Sequence, residues 1–152
     1  MWFIVTIVLA ALAVRGSRAA YAAYVLVAIL FIPARAGFQI QPLVCEIPVS
    51  VASGLYSLQN WQHIVLSALL SLMTVAQFRK RGTIAFVTAI GVTVALGFLA
   101  ELEQGLFRRG HCRMRDLVPD TAGALLGVVI GWAWHRIRHV RNSAGPRPVS
   151  LE

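Results

Sequence analysis

The chain is poor in charge, and above all in acid and lysine. Of 152 residues only 13% are charged, six are acidic, and a single lysine, Lys80, stands beside thirteen arginines. Soluble domains carry about 25% charged residues and about 45–50% apolar ones. Here 58% are hydrophobic and the mean hydropathy is +0.72, so the composition excludes an ordinary soluble domain and points to an integral membrane protein. With only two cysteines, Cys45 and Cys112, neither a disulfide-dense scaffold nor a closed zinc site of cysteines is available. Glycine-rich phosphate loops, GxSxG, HExxH and paired CxxC motifs are also missing, which removes the familiar soluble catalytic signatures. A net charge of +8 invites nucleic acid as a partner. The basic residues, however, lie between apolar runs, where they act as topology signals facing anionic lipid headgroups, so no nucleic-acid partner is expected.

What is present is a series of apolar runs: 2–14, 19–33, 60–78, 83–100 and 118–135. A bilayer core of about 30 Å asks for about 20 helical residues. The expected fold is therefore all-α, a polytopic transmembrane helix bundle with four core spans plus a short N-terminal apolar segment. Residues 1–18 form that segment, 19–140 the transmembrane domain and 141–152 a cytoplasmic tail, whose final Leu151 and Glu152 read as a cloning remnant. The arginines follow the first run, whereas a cleaved signal peptide carries its charge in front. The first run is thus expected to stay as a short span, and the second to end at Pro33.

Cationic clusters at Arg15/Arg18, at Arg79, Lys80 and Arg81, and at Arg136, Arg138, Arg141 and Arg147 fall at alternate ends of the runs. They place the C-terminus in the cytoplasm and the N-terminus outside. The segment 34–59 is then external, with the character of an interfacial or re-entrant piece. Cys45 and Cys112 would share that side, where a disulfide between them is available.

Four of the six acids and four arginines are gathered in "ELEQGLFRRGHCRMRDLVPD", residues 101–120. Helical spacing puts Gly97, Glu101, Gln104 and Arg108 on one face of the fourth span and its extension. The same spacing aligns Asp116, Asp120, Gly123, Gly127 and Gly131 on the fifth. Close packing along the small stripe would draw the two acidic ends together, and His63 joins them from the first turn of the third span. The expected site is an outer cavity lined by His63, Glu101, Gln104, Asp116 and Asp120 and roofed by Arg108, Arg109 and Arg113. Arginine binds phosphate bidentately, and a carboxylate beside histidine moves protons. Each member also has a structural use: Asp116 and Asp120 flank Pro119 as helix-start residues do, and Glu101 and Glu103 can pair with Arg108 and Arg109. His135 and His139, four apart, lack a nearby carboxylate or thiol and read as a headgroup contact; neither a metal nor a cofactor is expected.

"ELEQ" closing one span, an arginine-bearing turn and "RDLVPDTAGALLG" opening the next resemble the signature of VanZ-like bacterial membrane proteins. A histidine opening an earlier span, in "NWQHIVLSALLSL", is similar to that family's other marker. Glu101, Gln104, Asp116, Gly123 and Gly127 fall on the pattern. Asp120 stands in place of the usual asparagine, Gly110 in place of an arginine, and Gln59 and Asn60 in place of an Asp-Lys pair. The resemblance implies a multi-pass protein of the bacterial cytoplasmic membrane with four core spans, of a family named for an accessory factor in glycopeptide resistance that lowers teicoplanin susceptibility. It implies no settled activity. Three expectations stay open. One is an accessory protein binding a phosphate-bearing lipid, a lipid-linked envelope precursor or a lipoglycopeptide. Another is a hydrolase or transferase using Glu101 or Asp116 as base with His63 assisting. The third is a helix bundle that partners another membrane protein.

Overall fold

The computed structural model describes residues 2–35, 37–47, 50–78, 82–107 and 112–143. These form six helices and one minimal strand pair: α1 (Trp2–Val14), α2 (Arg18–Arg35), β1 (Cys45–Glu46), α3 (Val51–Ser57), α4 (Trp61–Ala76), α5 (Thr83–Phe107), β2 (Cys112–Arg113) and α6 (Leu117–Ser143), the last entered through a 3-10 turn at Met114–Asp116. The chain is all-α in class. The apolar runs read from the sequence each become one helix, because a backbone without water must satisfy its own amides.

One expectation needs correcting. The second helix does not stop at Pro33 but continues to Arg35. So close to the helix end the proline costs one amide donor, while its own carbonyl accepts from Phe38 N at 3.0 Å and closes the terminus. Among the described residues two helices are long and apolar enough to cross a membrane, Thr83–Phe107 and Met114–Ile137. The apolar stretches Ile4–Val14, Arg18–Phe31 and Trp61–Ala76 are shorter; the sixteen residues of α4 reach about 24 Å at the helical rise.

Only 17% and 33% of the two long apolar windows is buried within the chain. A core helix of a soluble protein would be mostly covered; here Ile84, Val87, Leu125, Leu126, Val129 and Ile130 point outward. Exposed apolar surface on that scale calls for a nonaqueous neighbour.

Small residues set the packing. Ala10, Ala13 and Ala20 let α1 and α2 close over Met73 of α4, with Tyr21 and Leu69 around them. The Tyr21 hydroxyl lies 2.9 Å from Thr74 Oγ1, and Gln77 Nε2 donates to the carbonyls of Ala13 and Met73. The turn between α1 and α2 needs Gly16, whose φ of +95° suits glycine, and it sits against the Ala76 carbonyl. Arg15, Arg18 and the end of α4 therefore share one end of the bundle. The charged stretch lies at the opposite end.

Candidate functional site at the polar end of the bundle

Along α6 the stripe Gly123, Gly127 and Gly131 is buried, and it faces α4. A Cβ on Gly123 would run into the Ile64 carbonyl and Ser67, and one on Gly127 into the Ala68 carbonyl and Ser71. The expectation that this stripe seats the fourth span is therefore corrected: α4 carries the matching small positions Ser67, Ala68 and Ser71, so its backbone comes closest. Ser71 Oγ donates to the Ala124 carbonyl at 2.8 Å across the contact. The stripe, spent within the chain, offers no face to a partner protein. Gly97 of α5 packs against Asp120, where a Cβ would collide with the carboxylate.

This packing brings His63, from the first turn of α4, to Asp120, in the first turn of α6. His63 Nδ1 is 3.1 Å from Asp120 Oδ1, and Ser67 Oγ donates to the same oxygen at 2.7 Å. Asp120 is 4% exposed, so its two partners matter: a buried carboxylate without them would be strongly disfavoured. Ser67 was not singled out from the sequence, although it stands four residues after His63 and so on the same helix face.

Glu101 is 1% exposed, and its Oε2 accepts the Arg113 backbone amide at 2.8 Å. That hydrogen bond fastens the strand pair to α5. Cys45 and Cys112 lie opposite each other in the parallel β1–β2 register and are joined by a disulfide. Gly105 is the floor beneath it, since a Cβ there would meet Leu43 and Cys112. Ahead of it, α3 is capped by Ser50 and Ser53 and docks through Ser57 Oγ, which donates to the Arg115 carbonyl at 3.0 Å. The segment expected to be interfacial or re-entrant contains a short helix and a strand laid over the polar end.

One oxygen or nitrogen from each of His63, Glu101 and Asp116 falls within 4.8 Å of the others, a set with the composition of a metal site. Its members come from three separate elements, as the sequence reading had them. The arginine roof is different. Arg108 and Arg109 lie outside the described residues, and the Arg113 side chain runs toward Glu46, with Nε 3.9 Å from Oε2. At the cytoplasm-assigned end Arg136 stacks over Trp132, 5.5 Å from the ring centroid, while the His139 side chain lies outside the described residues.

A cavity of about 280 Å³ opens between α2, α4, α5 and the start of α6. Tyr24, Val25, Ile29, Leu70 and Leu96 form its apolar wall, and His63, Glu103, Gln104 and Asp120 its polar end. Gln104 is among the residues that line it. Glu103 and the whole α2 wall were not foreseen, because Tyr24, Val25 and Ile29 of α2 read as lipid-facing. Thr93, also on the wall, has a buried hydroxyl with no hydrogen-bond partner among the described residues. Searches of protein-family models, curated proteins and solved structures find no match to this chain.

Proposed function

We propose that this is a VanZ-like, multi-pass protein of the bacterial cytoplasmic membrane that binds a phosphate-bearing lipid or lipoglycopeptide at the outer leaflet, with the ligand's hydrocarbon portion in the cavity and its headgroup at the polar end. The observation that carries the reading is the composition of that cavity. Four helices supply an apolar wall, and the acidic and histidine side chains gather at one end, matching an amphiphile's two halves. In this reading α2, α4, α5 and α6 are the four core spans, and the shortness of α2 and α4 is met by local thinning of the bilayer. The charge asymmetry supports the same orientation: Arg15, Arg18 and Arg136 mark the cytoplasmic end. The role is that of an accessory factor, of the glycopeptide-resistance type that the sequence resemblance implies.

Filling the cavity tests this. Ala100 lines it, and Ala100→Phe should abolish retention of undecaprenyl phosphate by detergent-purified protein in native mass spectrometry while leaving the disulfide intact. Retention equal to the unsubstituted protein would count against cavity binding.

A second reading, a hydrolase or transferase acting on a lipid-linked substrate, draws on the Asp120–His63 pair, which is arranged to hold one imidazole tautomer and pass a proton. In that case Glu101 or Asp116 serves as base. New product in the lipid incubation that disappears in Glu101→Gln would favour it over binding alone.

A further inference from the structure

We infer that His63, Glu101 and Asp116 form a binding site for one divalent transition-metal ion of the zinc or manganese type. Their ligand atoms lie within 4.8 Å of one another on three elements that separate contacts fix in place. Bonds of about 2.0–2.2 Å to one ion would set such atoms roughly 3.4 Å apart in a tetrahedral shell, so small side-chain rotations close the set. One imidazole and two carboxylates suit zinc or manganese better than calcium, which takes oxygen ligands alone.

Two further observations point to a cation rather than to a chance gathering of acids. Glu101 is almost wholly buried, yet among the described residues its carboxylate takes one hydrogen bond, from the Arg113 amide to Oε2, and Oε1 takes none. Asp116 takes none at all among the described residues, and no described arginine or lysine pairs with either. A carboxylate as buried as that of Glu101 stays ionised only beside a positive partner. The second observation concerns His63: with Nδ1 bonded to Asp120, the neutral imidazole has Nε2 as the nitrogen left to ligate. A carboxylate that orients a histidine in this way is the usual outer shell of a histidine-bound metal.

The ion site rests on this geometry alone; its service to a ligand rests on the function proposed above. His63 belongs to both the cluster and the cavity wall. A phosphate arriving there meets Glu103 and Asp120 on the cavity lining, two acids that no described arginine or lysine pairs with. A divalent ion would turn that end from repelling phosphate to coordinating it, through positions that three protein ligands leave open.

The test is ion binding by the full chain in detergent, without lipid, after chelator treatment and removal of the chelator. Zinc and manganese are titrated separately and bound metal is counted by mass spectrometry. One equivalent per chain is expected, with affinity lowered at least tenfold in each of His63→Ala, Glu101→Gln and Asp116→Asn, and unchanged in Glu103→Gln and in His135→Ala/His139→Ala. The near-isosteric Glu101→Gln and Asp116→Asn keep the test informative if His63→Ala fails to fold. No stoichiometric ion, binding that survives Glu101→Gln and Asp116→Asn together, or binding lost only with His135 and His139, would overturn the site. Because no lipid is present, failure here leaves the lipid reading standing, and failure of lipid retention leaves the ion site standing.

Discussion

Asp120 Oδ1 receives both the Ser67 hydroxyl at 2.7 Å and His63 Nδ1 at 3.1 Å, so one carboxylate oxygen joins the start of α6 to two successive turns of α4. Removing it leaves two buried or half-buried polar groups unpaired. Asp120→Ala should therefore destabilise the protein by about 2–4 kcal/mol. Asp120→Asn keeps an acceptor oxygen at the same place and should cost about 1 kcal/mol or less. Thermal unfolding in detergent separates the two, and equal losses would show that the anionic charge, rather than the acceptor, holds the contact.

The α4–α6 contact makes a second prediction, opposite in sign to that for an open glycine of α5. Gly→Ala in an ordinary helix gains about 1 kcal/mol from propensity. At Gly91 an added Cβ meets nothing within 4 Å, and the gain should be realised. At Gly123 and Gly127 the Cβ meets the carbonyls of Ile64 and Ala68, backbone that cannot step aside. Overpacking there should cost about 1–3 kcal/mol net. A rise in melting temperature for Gly127→Ala would contradict this packing.

The disulfide joins cysteines with a sequence separation of 67. Loss of the bridge, in Cys45→Ser/Cys112→Ser, should cost about 2–4 kcal/mol and loosen the strand pair over Glu101. In cells, membrane-impermeant maleimide added from outside should label the protein only after reduction. Labelling without reductant would deny the bridge, and labelling confined to inverted vesicles would reverse the proposed orientation.

Much of this was legible in the sequence because the signals are local. Apolar runs without charge have one low-energy backbone solution, so helix positions followed from composition. A spacing of three places Glu101 and Gln104 on one face of α5, since helical geometry alone decides that, whereas Asp116 falls in the 3-10 turn ahead of α6 and not on the helix that carries Asp120. Which helix meets which was not legible. The stripe of Gly123 and Gly127 specifies a close neighbour without naming it, and the reciprocal small residues Ser67, Ala68 and Ser71 are interleaved with leucine and hide in an apolar run. The cavity was equally hidden, for its wall on α2 is built of Tyr24, Val25 and Ile29, residues that read as lipid-facing until three other helices surround them. Arg113 was assigned to the site by its charge. Its backbone does serve Glu101, while its side chain turns to Glu46, a distinction that residue type cannot carry.

The most direct test of the proposed function is photocrosslinking with an undecaprenyl phosphate analogue that bears a diazirine on its hydrocarbon chain, followed by peptide mapping. Adducts concentrated on the cavity wall, at Val25, Ile29, Leu70 and Leu96, and competed away by unmodified undecaprenyl phosphate, are the predicted result. Adducts spread over the outward faces of α5 and α6, at Val87, Leu125 and Val129, and insensitive to competitor, would mean that the lipid is only solvent for these helices and that the cavity does not bind it.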